Sequence, residues 1–159
     1  MESRAKLLGH PVHQMLIVFP LGLLATAVIV DIVYFVGDAL IFAEVSYYLV
    51  IAGLIGGGVA APFGFIDWLA IPRNTRAKRI GALHGSGNVA VMLLFLASAI
   101  LRADLPSAPP AAAYVCSFGG AALALVTAWL GGELVNRLGI GVSDDAHVNA
   151  PSSLRHRTT

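Results

Sequence analysis

Charge is the scarcest commodity in this sequence. Asp, Glu, Lys and Arg make up 12% of its 159 residues, about half the share in a typical soluble domain. The ten cations and nine anions leave a net charge of +1, too little to attract a polyanion, so no nucleic-acid partner is expected. There is one cysteine, Cys116, inside an apolar stretch. That excludes an internal disulfide and any cysteine-built zinc or iron–sulfur centre, so a metal would have to be held by nitrogen and oxygen. A strand-to-helix phosphate loop, a GxSxG nucleophile elbow and an HExxH helix are all missing. No residue can be named catalytic, and whether the chain is an enzyme stays open.

Apolar sequence fills the space. Mean hydropathy is +0.80 and 57% of residues are hydrophobic, which places the chain in a lipid bilayer. Four apolar runs, each about 20 residues long and so able to cross a bilayer, fall roughly at 13–36, 45–66, 84–101 and 112–134. The expected fold is all-α: an integral-membrane four-helix bundle, up-down-up-down, with both termini on one side. It is one domain over 1–142, followed by a polar tail, 143–159, expected to be disordered. Arg4 and Lys6 ahead of an apolar run resemble a signal peptide, but the run reaches Val36, too long for an h-region, and is read as a retained span.

The second run is dense in glycine, from Gly53 to Gly58, and carries Pro62, where a bend is expected. The fourth carries Gly120, Ala124, Ala128 and Gly132 at four-residue spacing, a ridge that suits close internal packing or a homodimer equally well. No internal repeat is convincing, because the glycine-rich second span lacks a counterpart. With four spans, nine of the ten Lys and Arg residues share the side of the termini, and Arg102, in the third connection, lies opposite. The positive-inside rule then makes both termini cytoplasmic, in a bacterial inner membrane.

The chemistry-bearing residues gather at that same end. His10 and His13 flank Pro11 at the start of the first span, three residues apart and on nearly one face. His84 opens the third span among Gly81, Gly85 and Gly87, with Asn88 one turn deeper. Asp67 ends the second span and Glu133 the fourth. Ionisable groups at the rim of an apolar bundle are costly unless they pair or bind something.

Two ligand readings follow. First and third helices of such a bundle are diagonal, about 12 to 14 Å apart between axes. His13 and His84 reaching across that gap suit the axial positions of a b-type haem, with His10 as alternate ligand and Arg76 and Arg79 near the propionates. Alternatively His10, His13, His84, Asp67 and Glu133 form a nitrogen/oxygen site for zinc, iron or manganese, serving hydrolysis or ion handling. Asp67 and Glu133 also fit as acceptors that orient the histidines, or as simple partners of Arg73, Arg76 or Arg137. Asp31, five turns beyond His13, is expected in the outer headgroups or bonded to a neighbouring span. A haem at one end alone would need a redox partner to complete any path across the membrane. The third reading is a structural or assembly subunit that binds no cofactor.

The opening Gly9-His10-Pro11-Val12-His13, running on through Phe19-Pro20-Leu21-Gly22 to Asp31, and the close Trp129-Leu130-Gly131-Gly132-Glu133-Leu134-Val135 resemble the bacterial domain-of-unknown-function family 2231, over roughly residues 7 to 142. The resemblance implies a four-span membrane protein and little about its chemistry. A looser likeness to small b-type cytochromes rests on the helix-end histidines alone.

Overall fold

The computed structural model describes residues 1–154; the last part of the polar tail, with Arg155, His156 and Arg157, lies outside the described residues. The chain opens with a small hairpin, β1 (Lys6–Leu7) against β2 (His10–Pro11). Its two-residue turn, Leu8 and Gly9, holds both φ angles positive, 51° and 85°, the backbone sense that matches strand twist in a tight hairpin.

Four long helical segments follow. The first span, Val12–Gly37, is made of α1 (Val12–Leu16) and α2 (Val18–Gly37). They meet where Pro20, having no N–H, cannot bond the carbonyl of Leu16. The second is α3 (Leu40–Ala70), which stays helical through Pro62, and the third is α4 (Arg76–Arg102). The fourth is α5 (Ala111–Gly132), continued by a π-helical turn over Glu133–Arg137. All four are long and apolar enough to cross a membrane, so the all-α membrane bundle expected from composition is borne out.

The ends of the spans differ from the hydropathy reading. The third helix starts at Arg76, eight residues before His84, because Arg76, Lys78 and Arg79 are good helix formers despite their charge. Thr75 caps it by accepting the N–H of Lys78 at 3.1 Å. His84 therefore sits about 12 Å inside the helix and does not open it.

Small residues line the interior and large apolar ones face outward, as lipid requires. Ala27, Ala43, Ser46, Ala113 and Ser117 are fully buried, while Val36, Ile55, Ile100, Val115 and Leu125 are exposed. First and second spans pack along their length, as do third and fourth; the second also meets the third and the fourth the first, leaving first and third diagonal. The core, Leu24, Ala27, Val50, Val91, Phe95 and Ala99, lies where the two hairpins meet.

Arg102 is not in a loop. It is the last residue of α4, with 0% of its surface exposed, and it forks onto Asp31, also 0% exposed, with Nη1 2.9 Å from Oδ1 and Nη2 2.7 Å from Oδ2. Of the two places expected for Asp31, the outer headgroups are ruled out by its burial and the bond to another span is found, to Arg102 and to the Ser117 hydroxyl at 3.3 Å. In an apolar interior each charge is costly alone, and the bidentate pairing makes burial of both tolerable. Arg102 also donates to the hydroxyls of Ser98 (3.1 Å), Ser46 (3.4 Å) and Ser117 (3.3 Å), and the Tyr114 ring covers the guanidinium at 4.7 Å.

Candidate functional site

At the end of the bundle that carries the termini, two histidines are held in matching ways. His13, at the start of the first span, places Nδ1 3.1 Å from the carbonyl oxygen of Ala60 on α3. Its ring lies flat on Gly64, one turn further along α3, where an added Cβ would come within 2.8 Å of Cε1 and Nδ1. His84, on α4, places Nδ1 2.8 Å from the carbonyl oxygen of Thr127 on α5. Its ring lies over Gly131, again one turn on, where a Cβ would be 3.1 Å from Cε1. A backbone carbonyl can only accept, so each Nδ1 carries the proton and each Nε2 keeps its lone pair.

Both rings are half-buried. Asn88, one turn beyond His84, puts its amide 3.1 Å from Nε2 and 2.9 Å from the His84 carbonyl, while its own Oδ1 accepts the hydroxyl of Thr127 at 3.0 Å. The His84 ring is thereby fixed on both nitrogens by one connected network. Thr127 gave no signal in the sequence, since a lone threonine in an apolar helix reads as packing.

The other residues expected at the site are occupied elsewhere. Asp67 accepts from the Ser3 hydroxyl on both oxygens (2.8 and 2.7 Å), from the Arg4 N–H at 2.7 Å and from the Ala5 N–H at 3.2 Å. It clamps the N-terminal segment. Glu133 pairs with Arg76 at 2.7 Å, and Arg79 is exposed. His10 is exposed on β2, its Nε2 3.3 Å from the Ser153 hydroxyl. Among the described residues no three His, Cys, Asp or Glu side chains lie together as a metal would need. The five-residue nitrogen/oxygen cluster is therefore not assembled, because backbone N–H groups and an arginine claim the carboxylates first.

The turn between second and third spans is locked as well. Lys78 Nζ donates to the Trp68 carbonyl at 2.6 Å and lies 3.9 Å from the Trp68 ring centre, while Trp68 Nε1 donates to the Lys78 carbonyl at 3.2 Å. These reciprocal contacts fix how α3 delivers the Ala60 carbonyl and how α4 delivers His84.

Compared with known proteins, the chain matches neither a curated protein nor a solved structure. Residues 9–144 match the family described as predicted membrane protein DUF2231. That span covers both histidines and all four helices, and the chain belongs to the DUF2231 family of predicted membrane proteins.

Proposed function

We propose that the protein is a cytoplasmic-membrane haem-binding redox protein, in which His13 and His84 would hold one b-type haem. One observation carries the reading: both histidines, on diagonal helices, donate Nδ1–H to a helix carbonyl and so leave Nε2 as the ligating nitrogen. That tautomer is what an axial ligand requires, and the carbonyl raises its basicity. Gly64 and Gly131, bare beneath the rings, let the imidazoles lie flat with no side chain crowding them. The haem would supply one-electron chemistry at a potential set by its axial ligands and its burial.

The chain's part is to orient and to exclude. Ala60 and Thr127 fix the ring planes, the apolar helices exclude water, and the Asn88 amide would have to yield His84 Nε2 to a bound ligand. Orientation with the termini in the cytoplasm follows the positive-inside rule, which the burial of Arg102 sharpens by removing the one cation counted on the other side. A soluble or membrane redox partner would complete the electron path.

The test is an absorption spectrum of detergent-purified protein expressed with haem precursor, alongside metal analysis. The expected result is a Soret band and sharp reduced-state bands, lost in His13→Ala and in His84→Ala and kept in Glu133→Gln. A colourless protein holding one zinc, iron or manganese ion would overturn it in favour of a bare-metal site. The second reading, a structural subunit without a cofactor, is favoured by the Asn88 amide on His84 Nε2, which leaves that ring fully bonded within the protein. It predicts no bound species and effects of histidine substitution on stability alone.

A further inference from the structure

The contact that holds His13 is made twice, and it is one of a series. His13 bonds the Ala60 carbonyl and lies on Gly64; His84 bonds the Thr127 carbonyl and lies on Gly131. Deeper in the bundle Leu24 rests on Gly53, where a Cβ would come within 2.5 Å of its Cδ2, and Phe95 rests on Gly120, where a Cβ would be 2.9 Å from Cε2. Further still, the Ser46 hydroxyl donates to the Ala27 carbonyl at 3.1 Å, and the Ser98 hydroxyl donates to the Ala113 carbonyl at 2.7 Å. Last come Asp31 and Arg102.

The numbering makes the correspondence strict. From His13 to His84, Leu24 to Phe95, Ala27 to Ser98 and Asp31 to Arg102 the separation is 71 residues each time. From Ser46 to Ala113, Gly53 to Gly120, Ala60 to Thr127 and Gly64 to Gly131 it is 67. The change in offset is one helical turn: Arg102 and Ala113 are 11 positions apart where Asp31 and Ser46 are 15, because the second hairpin's helices stop closer to these contacts and leave the longer link, 103–110, between them. Helical periodicity alone would tolerate a slip of a turn, but a slip would break every one of these contacts.

We infer that the chain is two copies of one helical hairpin joined head to tail and related by a two-fold axis along the bundle, with Asp31 and Arg102 as the pair that sets which hairpin pairs with which. Equivalent positions that touch each other must straddle the axis, so the ion pair marks it. Opposite charge at those positions makes the inner face of the first hairpin fit a hairpin bearing a cation there and refuse a copy of itself. Homotypic pairing would bury two carboxylates or two guanidiniums face to face in an apolar interior, which is the repulsive element specificity requires. His13 matches His84, and Gly53 and Gly64 match Gly120 and Gly131, but comparison of the halves misses this because the other equivalent positions share a role and not a residue: leucine with phenylalanine, alanine with serine and threonine, aspartate with arginine.

The test uses the full chain in detergent, read by the yield of monodisperse monomer and by thermal midpoint. D31R and R102D each place like charges on the axis and should lower monomer yield by about ten-fold or more, the scale of a broken buried pair. The exchange D31R/R102D should recover yield to within about three-fold of the unaltered chain. A version carrying the serine along, D31R/R102D/A27S/S98A, repeats the exchange with the arginine's hydroxyl partner moved too. If neither exchange exceeds the poorer single variant, the two positions are not equivalent and the repeat is overturned. Differently tagged D31R and R102D chains, expressed together, should co-purify, since each hairpin finds its opposite only in the other chain. If co-purification does not exceed that of two unaltered chains, the pairing role is overturned.

Discussion

Arg102 and Asp31 meet through two parallel hydrogen bonds, 2.9 and 2.7 Å, with neither side chain touching solvent. They sit on the diagonal first and third spans, five turns from the two histidines on the same helices. The pair therefore ties the two hairpins together at the end opposite the candidate site. Removing one partner leaves the other charge uncompensated, whereas removing both removes the penalty as well. Asp31→Ala and Arg102→Ala should each destabilise the protein by about 3–5 kcal/mol. The double variant should lose clearly less than the sum, in a thermal or denaturant unfolding cycle.

The glycines beneath the histidine rings give a graded prediction. A Cβ at residue 64 would lie 2.8 Å from the His13 ring and must displace it, while at residue 131 the approach to His84 is 3.1 Å, which a few tenths of an ångström of movement relieves. Gly64→Ala should cost about 1–3 kcal/mol as overpacking does, and Gly131→Ala less. If haem is bound, both should perturb the Soret band, the first more strongly, while an alanine at Gly58, which faces open space, should change nothing.

Hydropathy made the four spans legible, and helix-end histidines stood out because polar residues are rare in such sequence. What stayed hidden was pairing. Asp31 and Arg102 are 71 positions apart, and each on its own reads as an interfacial charge; only the diagonal crossing of two helices brings them together. Asp67 and Glu133 were visible as carboxylates at the right end, yet their partners turned out to be Ser3, two backbone N–H groups and Arg76. Composition carries no trace of backbone N–H groups as competitors for a carboxylate. His84 was misplaced at the start of its helix because a hydropathy window discounts the basic first turns that α4 contains.

Asp67 should behave as a clamp and not as a ligand. It holds the N-terminal segment through the Ser3 hydroxyl, whose one hydrogen lies between the two carboxylate oxygens, and through the N–H groups of Arg4 and Ala5. Hydrogen bonds to a charged group are worth about 1.5–3 kcal/mol each at most, and these sit at a part-exposed rim. Asp67→Asn should release residues near Ser3 to limited proteolysis and faster amide exchange while leaving the spans helical. Any haem or metal content should be unchanged in that variant; its loss would return Asp67 to the ligand set.

Acid should loosen the same segment by a second route. Glu2 bonds Lys6 and accepts the Ser143 hydroxyl at 2.7 Å, and these contacts, Lys6 first, hold its carboxyl down from an ordinary 4.5 to about 2. Because the folded value is the lower one, the contribution is complete above pH 4.5 and is lost as pH falls through 2. Met1 is bound nearby, its amino group to the Gly139 carbonyl at 3.0 Å and its own carbonyl to the Gly141 N–H at 2.9 Å, so release of Glu2 loosens the segment around Ser143 while these contacts persist. A fluorophore near residue 143 should report increased mobility between pH 4.5 and 2, and Glu2→Gln should show that mobility already at pH 7 with no further change across the window. A natural chain that shows no transition there, with Glu2→Gln behaving identically at every pH, would mean that the carboxylate contributes nothing to holding the ends together.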